Sequence, residues 1–146
     1  MTNEPTEASY SPLKYEPEHI RKNVDLWLEA LESGQYAQCE GKLESPDGGF
    51  CCLGVACKVL GIPRTEFNGD IFYGEDGQAE DASLPDYVRD MLGLTSAIGL
   101  YNNDNLDTLA SHNDHGLTFE EIAAIIRSRP EGLFLEGVYS GDNTRT

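Results

Sequence analysis

Two adjacent thiols, Cys51 and Cys52, follow the turn-forming run Pro46-Asp47-Gly48-Gly49 and open an apolar segment that reads as a helix. A cysteine at a helix start meets free backbone N–H groups and the positive end of the helix dipole, and both favour the nucleophilic thiolate. A hydrolase built this way would use Cys52 as nucleophile and His112, or alternatively His115, as base. The competing reading is packing. Cysteine is among the most buried residue types, and Phe50, Leu53 and Val55 give the pair apolar neighbours.

The run His112-Asn113-Asp114-His115-Gly116 gathers polar groups just before a helix. On a helix, two histidines three apart could share a metal with Asp114. The asparagine and glycine favour a turn instead, with Asn113 and Asp114 bonded to local backbone. Asn102-Asn103-Asp104-Asn105 with Asp107 is rich in oxygen ligands, yet it lacks the alternate spacing, central glycine and closing glutamate of a calcium loop. No C-x2-C or H-x3-H pair stands at zinc spacing, and no P-loop, dinucleotide fingerprint or serine elbow is present. The pattern therefore implies neither metal nor cofactor.

Charge is the strongest compositional signal: 26 Asp and Glu against 10 Lys and Arg in 146 residues, a formal net charge of -16. From Thr65 to Ile126 the chain holds thirteen acids and one base, Arg89. Such a surface repels phosphate backbones and anionic membranes, which excludes ordinary nucleic-acid binding. Acidity also serves solubility alone. As a contact, the stretch Glu66, Asp70, Glu75, Asp76, Glu80, Asp81 and Asp86 would present carboxylates to a basic partner, with salt-sensitive association. A second binding reading sequesters a small nucleotide by stacking on Trp27, Tyr73 or Tyr101. Its phosphates would pair with Arg64, Arg127 or Arg129, near the polar Asn113 and Asp114.

These residues need elements to hold them. Pro17 opens a helix whose Ile20, Val24, Trp27, Leu28 and Leu31 form one apolar stripe, stopped at Gly34. Tyr36–Leu43 reads as a short strand, turned at Pro46–Gly49 into a hairpin through Phe50 and Cys51. A buried helix spans about Cys52–Leu60, closed by Gly61 and Pro63. Phe67–Tyr73 and the glycines after it suggest a small hairpin or ordered loops. A short helix starts at Leu84-Pro85-Asp86 and ends at Gly93. A turn or brief strand follows in Thr95–Asn105, then a helical turn or two near Leu106 and Leu109. Thr118 and Glu121 make a capping box, with Leu117 as staple, for a last helix burying Phe119, Ile122, Ala123, Ile125 and Ile126. The expected fold is α+β: one helix-rich domain, about four short helices with a small antiparallel sheet or hairpins, over residues 17–136. Residues 1–16 and 137–146 read as tails. No apolar run is long enough to cross a membrane, and the start lacks a secretory pattern, so a cytoplasmic location with reduced cysteines is expected.

The ordered set LWLEALESGQYAQ, FCCLGVACKVLG, LPDYVRDMLGL and LASHNDHGLTFEEIAAII resembles a family of small uncharacterised proteins of bacteriophages and their bacterial hosts. It covers roughly residues 20 to 127, and FCCLGV with ND-x-G-x-T-F-x-x-IA identifies it. The resemblance implies no activity. It carries over Trp27, Tyr36, Gln38, Cys51, Cys52, Leu53, Gly54, Leu84, Pro85, Gly93, Asn113, Asp114, Gly116 and Phe119 as pattern positions. It also implies a non-catalytic accessory protein in the host cytoplasm, acting on a host protein that is defence-related or nucleic-acid-binding, or else on a nucleotide immune signal.

The helical stripe makes a quantitative expectation. Trp27→Ala should lower folding stability by about 3–5 kcal/mol, the scale of large core truncations, read by denaturant unfolding. An unchanged midpoint would remove Trp27 from the core.

Overall fold

The computed structural model describes residues 13–102 and 107–139. It is a single small α+β domain, with five helices and two small antiparallel two-stranded sheets among those residues. The helices are α1 (Pro17–Glu32), α2 (Cys52–Val59), α3 (Asp86–Met91), α4 (Leu109–Asp114) and α5 (Phe119–Ser128). Strands β1 (Arg64–Phe67) and β2 (Asp70–Tyr73) pair in one hairpin, and β3 (Leu100–Tyr101) pairs with β4 (Asp107–Thr108). Asn103, Asp104, Asn105 and Leu106, parts of the calcium-like run and of the expected helical turn, lie outside the described residues, as do 1–12 and 140–146 of the two expected tails.

Helix α1 buries the expected stripe, and Trp27 has no exposed surface. Its indole Nε1 donates to the carbonyl of Cys52 at 2.8 Å, so the largest core side chain also ties α1 to the start of α2. α1 packs on α2 and α5 and touches α3, while α4 bridges α2 and α5. The capping box of α5 is complete: Glu121 N–H donates to Thr118 Oγ1 at 3.1 Å, and Thr118 N–H to the Glu121 carboxylate at 2.9 Å. In α5 the inner face is Phe119, Ile122, Ala123 and Ile126, with Ile125 only half-buried.

Between α1 and α2 the expected strand over Tyr36–Leu43 does not form. Gln38 and Glu44 each make only an isolated bridge to Phe50. Gly41, at φ 81°, breaks the extended path, and the local backbone bonds scatter to Ala37, Leu43, Phe50 and Asp81 instead of forming a ladder. The Pro46–Gly49 turn does form, closed by Gly48 N–H on Ser45 O at 2.9 Å. This irregular segment lies against α2 at Gly54, where a Cβ would stand 1.7 Å from the Leu43 carbonyl oxygen. Only glycine fits there.

A second departure concerns residues 109–114. The asparagine and glycine suggested a turn at His112–Gly116, but His112, Asn113 and Asp114 belong to α4, and the chain turns only at His115 and Gly116, φ 103°. Thr108 caps the helix through Ser111 N–H at 2.9 Å, and packing of Leu109 overrides the weak local preference. The core also extends past 136, because Val138 is fully buried and its carbonyl accepts from Arg21 at 2.7 Å.

The β1–β2 hairpin turns through Asn68 and Gly69, both at positive φ, as a two-residue hairpin loop requires. It is fixed to the body by a buried carboxylate. Glu44, 8% exposed, takes a two-pronged contact from Arg64 at 2.8 and 3.1 Å and a hydrogen bond from Tyr73 Oη at 2.6 Å. Burial alone would raise the Glu44 pKa, but the bonds from Arg64 and Tyr73 outweigh it and hold the carboxyl below its usual range. A carboxyl lowered in the folded state contributes stability above the ordinary carboxylate range and loses it as pH falls through its folded pKa. The difference in melting temperature between wild type and Glu44→Gln should therefore be largest near neutrality and shrink in acid. A difference that stays constant to low pH would contradict this anchor.

Candidate functional site

The start of α2 was the first candidate for chemistry. Cys51 is its N-cap, and its Sγ accepts from Gly54 N–H at 3.4 Å. The amide of Cys52, another of the donors a helix start leaves over, goes to Asn113 Oδ1 at 3.1 Å. These donors are engaged inside the core. Burial pushes the Cys51 thiol up to about 11 and the Cys52 thiol well above its ordinary value. Cys52 Sγ is fully buried and points at the carbonyl of Leu109, 3.7 Å away. His112 is turned elsewhere, with Nε2 against Tyr101 Oη, and His115 Nδ1 lies 2.7 Å from the Ser111 carbonyl. The site thus holds protonated thiols, and among the described residues no hydrogen bond joins a cysteine to a histidine. Nor do three His, Cys, Asp or Glu side chains group to hold a metal there.

The residue that organises this region is Asn113, 1% exposed on α4. Its Oδ1 accepts from Cys52 N–H and from Gln38 Nε2 at 2.9 Å, while its Nδ2 donates to the Cys39 carbonyl at 2.8 Å. Gln38 also donates to the Leu117 carbonyl at 2.8 Å, and Asp114 accepts from Gly41 N–H at 2.9 Å. One amide therefore joins α2, α4, the irregular 38–41 segment and the approach to α5. Sequence reading left Asn113 and Asp114 between bonds to local backbone and a place at a ligand. Here they bond the protein's own backbone. A cavity of about 140 Å³ beside them is lined by Gly41, Lys42, Cys51, Ala82, Ala110 and Asp114. That is below the usual range of small-molecule sites.

The remaining nucleotide candidates are dispersed. Trp27 and Tyr73 are buried, and Arg64 is committed to Glu44 and, at 3.1 Å, to Glu66. Tyr101 is buried against His112. Arg127 makes a two-pronged pair with Glu32 at 2.7 and 2.8 Å, tying α5 to α1 and holding the Glu32 carboxyl below its usual range. Arg129 stacks on Tyr139, 4.5 Å above the ring. Among Trp27, Tyr73, Tyr101, Arg64 and Arg127 the structure brings together no exposed ring with an unpaired guanidinium.

The acidic residues fare differently. Glu66, Glu75, Asp76 and Glu80 are exposed on the β1–β2 hairpin and the turn that follows it, with Asp86 at the start of α3. Asp70 and Asp81 are half-buried around Lys42, at 3.0 and 3.9 Å. Phe67, between Glu66 and the Asn68-Gly69 turn, is 65% exposed at the hairpin tip, on a strand whose four residues are all exposed. Sequence reading found the acids but assigned Phe67 no role; the Asn-Gly turn directly after it was the available signal.

A family model for a domain of unknown function, DUF8296, matches residues 20–130. The chain belongs to that family. No curated protein and no solved structure matches the DUF8296 chain. Among the described residues no helix of the DUF8296 domain is long and apolar enough to cross a membrane.

The Asn113 junction generates a test. Asn113→Leu removes the partners of Cys52 N–H and Cys39 C=O at similar volume, and each orphaned buried group costs about 1–3 kcal/mol. Urea unfolding should show a loss of that order. A variant as stable as wild type would mean that water or a rearranged side chain satisfies both groups.

Proposed function

We propose that the DUF8296 domain is a non-catalytic binding module that engages the basic surface of a partner protein through its acidic hairpin. The observation that carries this reading is Phe67: a large apolar side chain left 65% exposed at the tip of a braced hairpin, next in sequence to Glu66 and on the hairpin whose other end leads into the exposed Glu75, Asp76 and Glu80. Exposed aromatics at the centre of charged rims are how protein contacts gain both affinity and orientation. The engaged thiols at the α2 start, and the commitment of Arg64 and Arg127 to internal pairs, support binding over catalysis or nucleotide capture. In the bacteriophage setting that the sequence resemblance implies, the partner is a host protein, defence-related or nucleic-acid-binding, met by carboxylates where it expects phosphates in the host cytoplasm.

The triple variant Glu75→Gln, Asp76→Asn, Glu80→Gln removes three exposed charges, taking the formal net charge from -16 to -13. At about 0.2–1 kcal/mol per exposed pair it should weaken a basic partner by roughly three- to a hundredfold. In pull-downs from bacterial lysate, wild type should retain a basic protein at low salt and release it at high salt, and the variant should retain less. Equal retention by wild type and variant would sink the acidic-hairpin reading.

A further inference from the structure

The outer edge of β1 offers a more specific feature than charge. The two-residue loop makes Phe67 and Asp70 the first hydrogen-bonded pair of the hairpin, and antiparallel pairs then alternate. Thr65 and Phe72 form the next such pair. The phase continues beyond the strands, where Gly74 N–H donates to the Pro63 carbonyl at 2.9 Å. Arg64 and Glu66 therefore turn their N–H and C=O groups away from β2. Among the described residues no backbone hydrogen bond reaches those groups.

The two faces of the hairpin differ as well. Ile71 and Tyr73 are buried, so their cross-strand partners Glu66 and Arg64 share the inward side. Thr65, Phe67, Asp70 and Phe72 share the outward side, with Phe67 and Phe72 as diagonal neighbours. A strand laid along β1 would place one set of alternate residues beside Glu66 and the other beside Phe67.

We propose that β1 receives an added strand: an extended segment of a partner protein with alternating basic and apolar residues pairs with the backbone of Arg64 and Glu66, sets a cation by the Glu66 carboxylate and rests an apolar side chain on Phe67. This rests on the acidic-hairpin reading and supplies its mode. Charge selects the occupant. Seven carboxylates lie between Glu66 and Asp86, while Arg64 is paired with Glu44 and Glu66 and Arg89 contacts Asp86 and Asp90. A second copy would bring the same negative field edge to edge, whereas a basic segment neutralises it. Main-chain pairing gives the affinity and the alternation gives the selectivity.

The test uses the full chain and a capped eight-residue peptide of alternating lysine and valine, alongside the same peptide N-methylated at alternate residues to block main-chain pairing at unchanged charge. The unmodified peptide is expected to bind at low salt and to slow amide exchange at Arg64 and Glu66 several-fold. The N-methylated peptide is expected to lose that binding, and Phe67→Ala to weaken it several-fold. If both peptides bind alike and exchange at Arg64 and Glu66 is unchanged, strand addition is overturned while the acidic hairpin survives as a charge-reading surface. If neither peptide binds at low salt, both readings fail. A dimer in sedimentation that already protects those two amides without peptide would give the edge to a second copy and overturn the proposal.

Discussion

The start of α2 is buried, and a buried helix start leaves N–H groups that water cannot reach. Satisfying them shapes most of the domain. Cys51 turns its own sulfur onto Gly54, Asn113 supplies an oxygen to Cys52 from another helix, and Trp27 takes the Cys52 carbonyl. For Asn113 to stand there, α4 must dock on α2. Once it does, the same Asn113 Oδ1 also accepts from Gln38 and its Nδ2 donates to Cys39, holding a segment that has no ladder of its own. The same constraint holds the cysteine doublet as buried, hydrogen-bonded side chains at the helix start. The dipole end that would stabilise a thiolate is already neutralised by side-chain acceptors within an apolar surround.

The hairpin is attached on different terms. One nearly buried carboxylate, Glu44, gathers a guanidinium from β1 and a phenol from β2, so both strands are held at a single point. A buried ion pair is weak evidence for stability, since desolvation opposes the attraction, but it specifies position well when the remaining lone pairs are bonded. Beyond this anchor the ion pairs are more exposed: Asp70 and Asp81 meet Lys42, Glu66 meets Arg64, and Asp86 and Asp90 meet Arg89. Arg64 links the buried anchor to the exposed Glu66, whose chain neighbour Phe67 stands at the hairpin tip.

Elements whose signals are local were legible in the sequence. The α1 stripe, the Thr118–Glu121 capping box and the Pro46–Gly49 turn each depend on residues within a turn or two of one another, whereas Phe67–Tyr73 was read only as a small hairpin or ordered loops. The misreadings share an opposite origin. Tyr36–Leu43 has strand-like composition, but its order comes from single bonds to Phe50, Asp81 and Asn113, distant partners that composition does not announce. His112–Asp114 reads as a turn by residue type, yet contact of α4 with α2 and α5 makes it helical. Glu44 went unnoticed because nothing in its neighbourhood distinguishes a buried acid from a solvated one. Of the candidate site, the acidic stretch was readable as charge; the bonding role of Asn113 and the exposure of Phe67 required the fold.

The amide of Asn113 joins residues separated by 61, 74 and 75 positions. Loop closure over such distances is slow, and a chain emerging from the ribosome cannot complete these bonds until α4 is outside the exit tunnel. Until then the segment from Gln38 to Cys52 lacks the bonds that Asn113 supplies. The junction therefore closes only once α4 docks, and the high negative charge opposes contact with neighbouring chains in that interval.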